Sequence, residues 1–95
     1  MTKADIITKI ARKNLVEETV VSQIVDSFMA TVKDSLGNNQ NVYLREFGGF
    51  LIKHRAEKHA LDIPRKTRII IPAHNVPVFK PADSFKNRIK ASLPE

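Results

Sequence analysis

The sequence predicts an α+β fold with two N-terminal helices, a three-stranded antiparallel sheet carrying a long protruding β-arm, and a short C-terminal helix. Three observations predict it. Apolar residues recur at helical spacing through the first 36 residues. Two strand-like segments then flank a short tip that contains Pro64. The last segment, residues 81–90, has the i, i+4 apolar pair of an amphipathic helix.

The first helix is predicted to begin at Thr2, which caps it, with Asp5 as the partner in a capping box. Its apolar stripe consists of Ile6, Ile7 and Ile10. Asn14-Leu15 is expected to end it.

The second helix is predicted to run from Glu17 to Leu36, and Gly37-Asn38-Asn39 ends it. Its apolar residues are Val20, Val21, Ile24, Val25, Phe28, Met29, Val32 and Leu36. This set is wider than a single stripe, so one side of the helix would remain exposed in a monomer. A second copy of the chain, related by a two-fold axis, is the simplest way to cover it.

Residues 41–52 are predicted to form a strand, a turn and a second strand, with Gly48 and Gly49 supplying a tight reversal. The arm then spans Arg55 to Pro77, with its tip at residues 61–65. A short strand, Val76–Phe79, follows.

The C-terminal helix is predicted at Pro81–Lys90, with Asp83 as its cap and Phe85 and Ile89 as its apolar pair. The phenylalanines are interpreted as core residues rather than platforms for bases.

Positive charge is concentrated in the second half of the chain. Residues 1–52 carry equal numbers of cationic and anionic side chains, whereas residues 53–90 carry ten Lys and Arg against three Asp and Glu. This asymmetry indicates a polyanionic partner, nucleic acid first and an anionic membrane second.

Several classes of function have no support in the sequence. The chain has no Cys, so no disulfide or thiolate metal site is expected. We expect no signal peptide, and no segment approaches the roughly 18 apolar residues of a membrane span. No catalytic motif is recognisable, and His54, His59 and His74 lack the spacing of a metal site. The prediction is a protein that is not an enzyme, with no cofactor, metal or small-molecule substrate.

Three motifs, in this order and spacing, carry a resemblance to a known family: Phe47-Gly48-Gly49-Phe50, Arg55-Ala56-Glu57-Lys58 and Asn75-Val76-Pro77-Val78-Phe79-Lys80. Over nearly the whole chain the sequence resembles the bacterial histone-like DNA-binding family that contains HU and integration host factor. The resemblance implies an intertwined dimer whose two β-arms enter the minor groove and bend the duplex. It also implies a cytoplasmic location at the bacterial nucleoid.

The resemblance divides residues 1–95, a single domain, into three parts. Residues 1–40 are the helical dimerisation part, residues 41–80 form the sheet with the arm at about 53–76, and residues 81–95 form the C-terminal helix and tail. The expected dimer-interface residues are Ile24, Val25, Phe28, Met29, Val32, Phe47, Phe50 and Phe79. The partner chain is identical, or is a paralogue in a heterodimer.

In that family a proline near the arm tip wedges between base pairs, and an ungapped match places Ile63 at this position. The wedge is therefore either Ile63 or Pro64. Asp83 falls where the family often has a cation. The remaining DNA-binding candidates are cations that contact phosphates, namely Lys3, Lys53, Arg55, Lys58, Arg65, Lys66, Arg68, Lys80 and Lys86.

The predicted function is architectural: the protein binds double-stranded DNA largely without sequence specificity, because minor-groove readout is degenerate, and it bends or compacts the duplex. One alternative is a sequence-preferring subunit like integration host factor. The other is a module that binds RNA or an anionic surface.

Overall fold

The protein is described here by a computed structural model covering residues 1–92. These residues form three helices and five strands: α1 (Lys3–Asn14), α2 (Glu18–Gly37), β1 (Val42–Leu44), β2 (Gly48–Arg55), β3 (Lys58–Asp62), β4 (Thr67–Ile71), β5 (His74–Pro81) and α3 (Asp83–Ser92). They divide into two compact units, residues 1–35 and the chain from residue 36 onward. The expected tail at residues 93–95 lies outside the described residues.

Helix α1 begins and ends as the sequence predicts. Thr2 accepts a hydrogen bond from the backbone N–H of Asp5, whose carboxylate accepts one from the N–H of Thr2, which completes the capping box. Leu15 adopts the left-handed conformation, with φ 55°, and ends the helix. Of the expected apolar stripe, Ile7 is buried whereas Ile6 and Ile10 remain exposed.

Helix α2 contributes Val21 to a small core with Ile7 and Ala11 of α1, and Val25 packs against it. The helix ends at Gly37, and Asn39 then takes a left-handed conformation, with φ 62°. The expected exposed side is present. Its large apolar residues are Val20, Ile24, Phe28 and Met29, and Ile24 is 62% exposed.

The strands form two antiparallel sheets instead of one. Strands β1, β2 and β5 form a three-stranded sheet in the order β1-β2-β5, and β3 pairs with β4 in a two-stranded sheet. The turn at the tip comprises residues 63–66, so it begins two residues later and ends one residue later than predicted, because β3 extends to Asp62. No helix in the described part of the chain is long and apolar enough to cross a membrane.

The prediction that Gly48 and Gly49 form the reversal between β1 and β2 is wrong. The turn comprises residues 45–47, with Glu46 in the left-handed region at φ 64°. Gly48 and Gly49 lie in β2 instead. A Cβ on Gly48 would lie 2.6 Å from the carbonyl oxygen of Lys80, so this glycine is needed for the close approach of β5.

Helix α3 is joined to the turn between β1 and β2 by hydrogen bonds. The N–H of Ala82 donates to the carbonyl of Phe47 at 2.9 Å, and the Ser84 hydroxyl donates to the carbonyl of Glu46 at 3.3 Å. The prediction that Asp83 caps this helix is wrong. Asp83 is the first helical residue, and the carbonyl of Ala82 accepts the bond from Lys86 that opens the helix.

Candidate nucleic-acid interface

One hairpin register runs through both sheets. In the three-stranded sheet the last pair is Arg55 with His74, and the first pair of the two-stranded sheet is Lys58 with Ile71. Two residues separate these pairs on each leg, so no residue is inserted on either side. The hydrogen-bond ladder is interrupted there because Pro72 has no N–H to donate. We call the β2–β5 part the arm root and the β3–β4 part, with its turn, the outer arm.

The two faces of the arm root differ in chemistry, because successive side chains on a strand point to opposite faces and directly paired residues share one. One face carries the aromatic residues Phe50 and Phe79, whose ring centroids lie 5.1 Å apart. Phe47 and Phe85 extend this cluster, with centroids 5.2 Å and 6.3 Å from that of Phe79. The four phenylalanines therefore pack with one another, as expected if they are core residues.

The opposite face of the arm root gathers three of the predicted phosphate contacts. Lys80 lies across from Gly49, Lys53 follows farther along β2, and Arg55 lies across from His74. Tyr43 of β1 shares this face because it also pairs with Gly49. The face, which we call the cationic face, consists of Tyr43, Gly49, Leu51, Lys53, Arg55, His74, Val76, Val78 and Lys80.

Two residues of the cationic face, Tyr43 and His74, are not among the DNA-binding residues that the sequence predicts. The signal for Tyr43 was available, because the residue alternates with Val42 and Leu44 and must point away from their side. His74 became recognisable only when the register paired it with Arg55.

The outer arm is exposed to solvent on both faces. One face carries His59, Leu61, Arg68 and Ile70, and the other carries Lys58, Ala60, Asp62, Thr67, Ile69 and Ile71. The structure therefore separates Lys58 from Arg68, which lie on opposite faces of the ribbon. Because cations lie on both faces, the ribbon can contact anionic groups on both of its sides at once.

Ile63 and Pro64 occupy different positions in the turn at the tip of the arm. The N–H of Lys66 donates to the carbonyl of Ile63 at 3.3 Å, so Pro64 occupies the second position of a four-residue turn. Proline is favoured there because its ring fixes φ near the required value. Ile63 is 76% exposed at the first position of the turn. The side chain of Arg65 pairs with Asp62 at 3.9 Å.

Two predicted phosphate contacts lie outside the arm. Lys3, in the first turn of α1, forms an ion pair with Asp26 of α2 at 2.6 Å. Lys86 lies on α3 and is exposed. Within residues 1–92, no group of three His, Cys, Asp or Glu side chains is placed to hold a metal ion.

The helices, the small antiparallel sheet and the exposed basic arm together indicate one known family of proteins. The family model described as "Bacterial DNA-binding protein" matches residues 1–90, and the chain belongs to this family. The resemblance found in the sequence is thereby confirmed.

Among its relatives, the chain is 32% identical over 90 residues to DNA-binding protein HU of Thermus thermophilus, which covers 95% of this chain and 93% of that protein. It is 29% identical over 90 residues to DNA-binding protein HU of Thermotoga maritima, covering 95% of this chain and all of that protein. It is also 27% identical to integration host factor subunit alpha of Actinobacillus succinogenes, across 100% of this chain and 97% of that subunit.

Solved structures confirm the fold class. The Anabaena HU chain from an HU–DNA cocrystal structure matches with a TM-score of 0.87 at 23% identity, covering 99% of this chain and all of that one. HU from Thermotoga maritima matches with a TM-score of 0.66 at 21% identity, over 94% of this chain and 98% of that one.

Proposed function

We propose that this chain is an architectural DNA-binding protein that binds duplex DNA largely without sequence specificity and bends it with its β-arm in the minor groove. The observation that carries this proposal is the hairpin itself, a long ribbon with cations on both faces and little core. A two-stranded ribbon is marginally stable alone in water, so a polyanion that neutralises both faces would also hold its shape. The DNA-binding names of the relatives support the same conclusion.

The cations of the arm are available for phosphate contacts. Among the described residues, Arg65 is the only Lys or Arg of the arm that forms an ion pair. Each phosphate that a cation neutralises releases counterions, so log affinity should fall by about 0.9 per contact for each log unit of salt. A salt titration therefore counts the contacts, and the slope should decrease by about one per chain when Arg68 is replaced by Gln.

We infer that Ile63 is the wedge and that Pro64 shapes the turn that presents it. Ile63 is exposed and apolar, whereas Pro64 occupies the turn position that proline favours. Inserting an apolar side chain between base pairs costs about a few kcal/mol of stacking, which is offset by contacts that the bent DNA then gains.

The functional unit that we propose contains two chains, and therefore two arms. In the single chain, Ile24, Phe28 and Met29 leave an exposed apolar surface on α2, and Phe47 is 45% exposed. A soluble monomer rarely exposes such a surface without a partner. An identical second chain explains it most simply, and a related chain in a heterodimer would meet the same requirement. Light scattering on the purified chain distinguishes a monomer from a two-chain assembly.

A gel-shift and bending assay on one duplex tests the function. We expect binding that weakens steeply with salt and a bend that brings the duplex ends closer, measured by energy transfer between end labels. A lone monomer that ignores duplexes at low salt would contradict the proposal. RNA of the same length and anionic vesicles are the comparison ligands, and a preference for either would favour the alternative that it represents.

A sequence-preferring role is the second candidate, because the full-length match to an integration host factor subunit supports it. Competition between equal-length duplexes separates the two candidates. We expect affinities within about tenfold of one another, since the minor groove presents a degenerate pattern. A thousandfold preference for one ordinary sequence would establish the second candidate. For either candidate we propose a nucleoid location and no catalytic role.

A further inference from the structure

His74 occupies the point on the cationic face where the three-stranded sheet ends. It is the first residue of β5 and pairs with Arg55, the last residue of β2. The other cations of this face, Lys53 and Lys80, lie farther along the same two strands. The His74 side chain is exposed, so a ligand that lies along the face can reach it. A histidine is thus placed in a row of side chains that we assign to phosphate contacts, although the neutral imidazole carries no charge.

The hydrogen bond of this imidazole fixes which ring nitrogen carries a proton. Nδ1 of His74 lies 2.8 Å from the carbonyl oxygen of Pro72. A carbonyl oxygen only accepts hydrogen bonds, so Nδ1 donates in the neutral ring as well as in the charged one. Nε2 is therefore the nitrogen that gains the second proton. It is an acceptor in the neutral ring, as a phosphate oxygen is, and it becomes a donor in the charged ring.

No carboxylate in residues 1–92 forms an ion pair with His74. The side chain directly across from it is Arg55, which carries the same sign of charge as a protonated histidine. The two acidic residues of the arm contact other side chains, namely Glu57 with His59 at 3.5 Å and Asp62 with Arg65 at 3.9 Å. The charged form of His74 therefore has no anionic partner within the chain, and an anion lying along the face would supply one.

We propose that His74 is a phosphate contact of the arm root that forms only when Nε2 is protonated, so that DNA binding is coupled to proton uptake. The proposal rests on the proposed function, because the duplex must lie on the cationic face. The charged Nε2–H donates to a phosphate oxygen, whereas the lone pair of the neutral ring repels the same oxygen. Histidine ordinarily changes its charge between pH 5 and 8, so the contact is gained or lost near neutral pH.

The direction of the pH effect follows from this coupling. The DNA-bound chain holds more protons than the free chain, so affinity rises as the pH falls through the histidine range. For one intact duplex at fixed salt, we expect affinity to increase by about tenfold from pH 8 to pH 5.5. The slope of log affinity against log salt should also steepen by about 0.9 per chain, since one more phosphate is neutralised. Equal affinity of the native chain at both pH values would overturn the proposal.

Two substitutions of His74 test the contact itself. His74→Gln keeps a polar side chain that gains no proton in this range, so most of the increase at low pH should be lost. His74→Lys carries a charge throughout the range, so its affinity should be high at pH 8 and should change little on acidification. A native pH profile in both variants would show that His74 makes no such contact.

His54 provides the matched control, because it is also exposed and lies beside Arg55 but on the opposite face. It pairs with Asn75, and its Nδ1 lies 3.0 Å from the side-chain oxygen of that residue. His54→Gln removes one protonatable group, as His74→Gln does, yet it should retain most of the increase in affinity at low pH. Equal losses in the two variants would attribute the effect to the summed charge of the arm, and the proposal would fail.

Calorimetry counts the protons directly. Binding heats measured at pH 7 in buffers of different ionisation enthalpy give the number of protons that enter the complex. The native chain and His54→Gln should take up a fraction of a proton per chain, and His74→Gln should take up clearly less. Unchanged uptake in His74→Gln would contradict the assignment of the proton to this ring. Failure of the native chain to bind the duplex at either pH would instead refute the proposed function, so the two failures are distinguishable.

Discussion

The arm root and the outer arm belong to one hairpin with one register, yet they differ in what holds them together. In the root, β1 adds a third strand and the phenylalanine cluster covers one face. In the outer arm only two strands pair, and β4 is exposed along its whole length. A shared register therefore does not by itself stabilise a sheet, because a two-stranded ribbon also needs a covered face. The uncovered half is the part that a ligand can stabilise.

The largest expected effect comes from removing the outer arm. Replacing residues 56–73 by Asn-Gly joins Arg55 to His74 through a tight turn. DNA affinity should fall by about a hundredfold or more, because the cations of both faces leave with the ribbon. The melting temperature should change little, since the aromatic cluster lies in the root. Gel shifts and thermal unfolding measure the two quantities, and a variant that loses its fold would show that the outer arm supports the root.

The next effect concerns the stability of the root. Gly48→Ala should destabilise the fold by about 3 kcal/mol, because the new methyl group would lie 2.6 Å from the Lys80 carbonyl and 2.7 Å from the Phe79 ring. Gly37→Ala is the matched control, since nothing lies within 4 Å of a Cβ there, and it should be neutral or stabilising. Urea unfolding compares the two variants. Equal stability in both would show that the root is more loosely packed than the structure indicates.

A smaller effect distinguishes the two residues of the tip. Ile63→Ala should reduce the bend and weaken binding by about tenfold, because the wedge is lost. Pro64→Ala should weaken binding by about threefold and leave the bend unchanged, since only the preset turn geometry is lost. End-labelled duplexes report both bends. The reverse pattern, with the bend lost in Pro64→Ala, would make the proline the wedge.

The smallest effect concerns the interruption between the two halves. Pro72→Thr restores a backbone N–H, and the ladder should close with a gain of about 0.5 kcal/mol. Amide exchange in the outer arm should slow by a few-fold. Ala73→Thr is the control, because it adds the same side chain without adding a donor. Equal slowing in both variants would attribute the gain to strand propensity rather than to the restored bond.

Much of the fold was predictable because its signals are local. The capping box at Thr2 and Asp5 and the helical apolar spacing depend on neighbours within a few residues. The turn between β1 and β2 was mislocated because glycine usually signals a reversal. Gly48 instead serves a contact with Lys80 in a distant strand, and Glu46 takes the left-handed position. Asp83 was misassigned in a similar way, because several residues near a helix start can serve as its cap.

The sequence by itself determined the class of fold, the division of charge between the two halves and the existence of an arm, because composition and periodicity are properties of the chain. Only the tertiary structure decided which cations share a face with Tyr43 and that Pro64 takes the second position of the tip turn, directly after the exposed Ile63. The physical reason is that pairing register fixes which side chains become neighbours across strands. That register is set by contacts between residues that lie far apart in the sequence, and no local pattern records it.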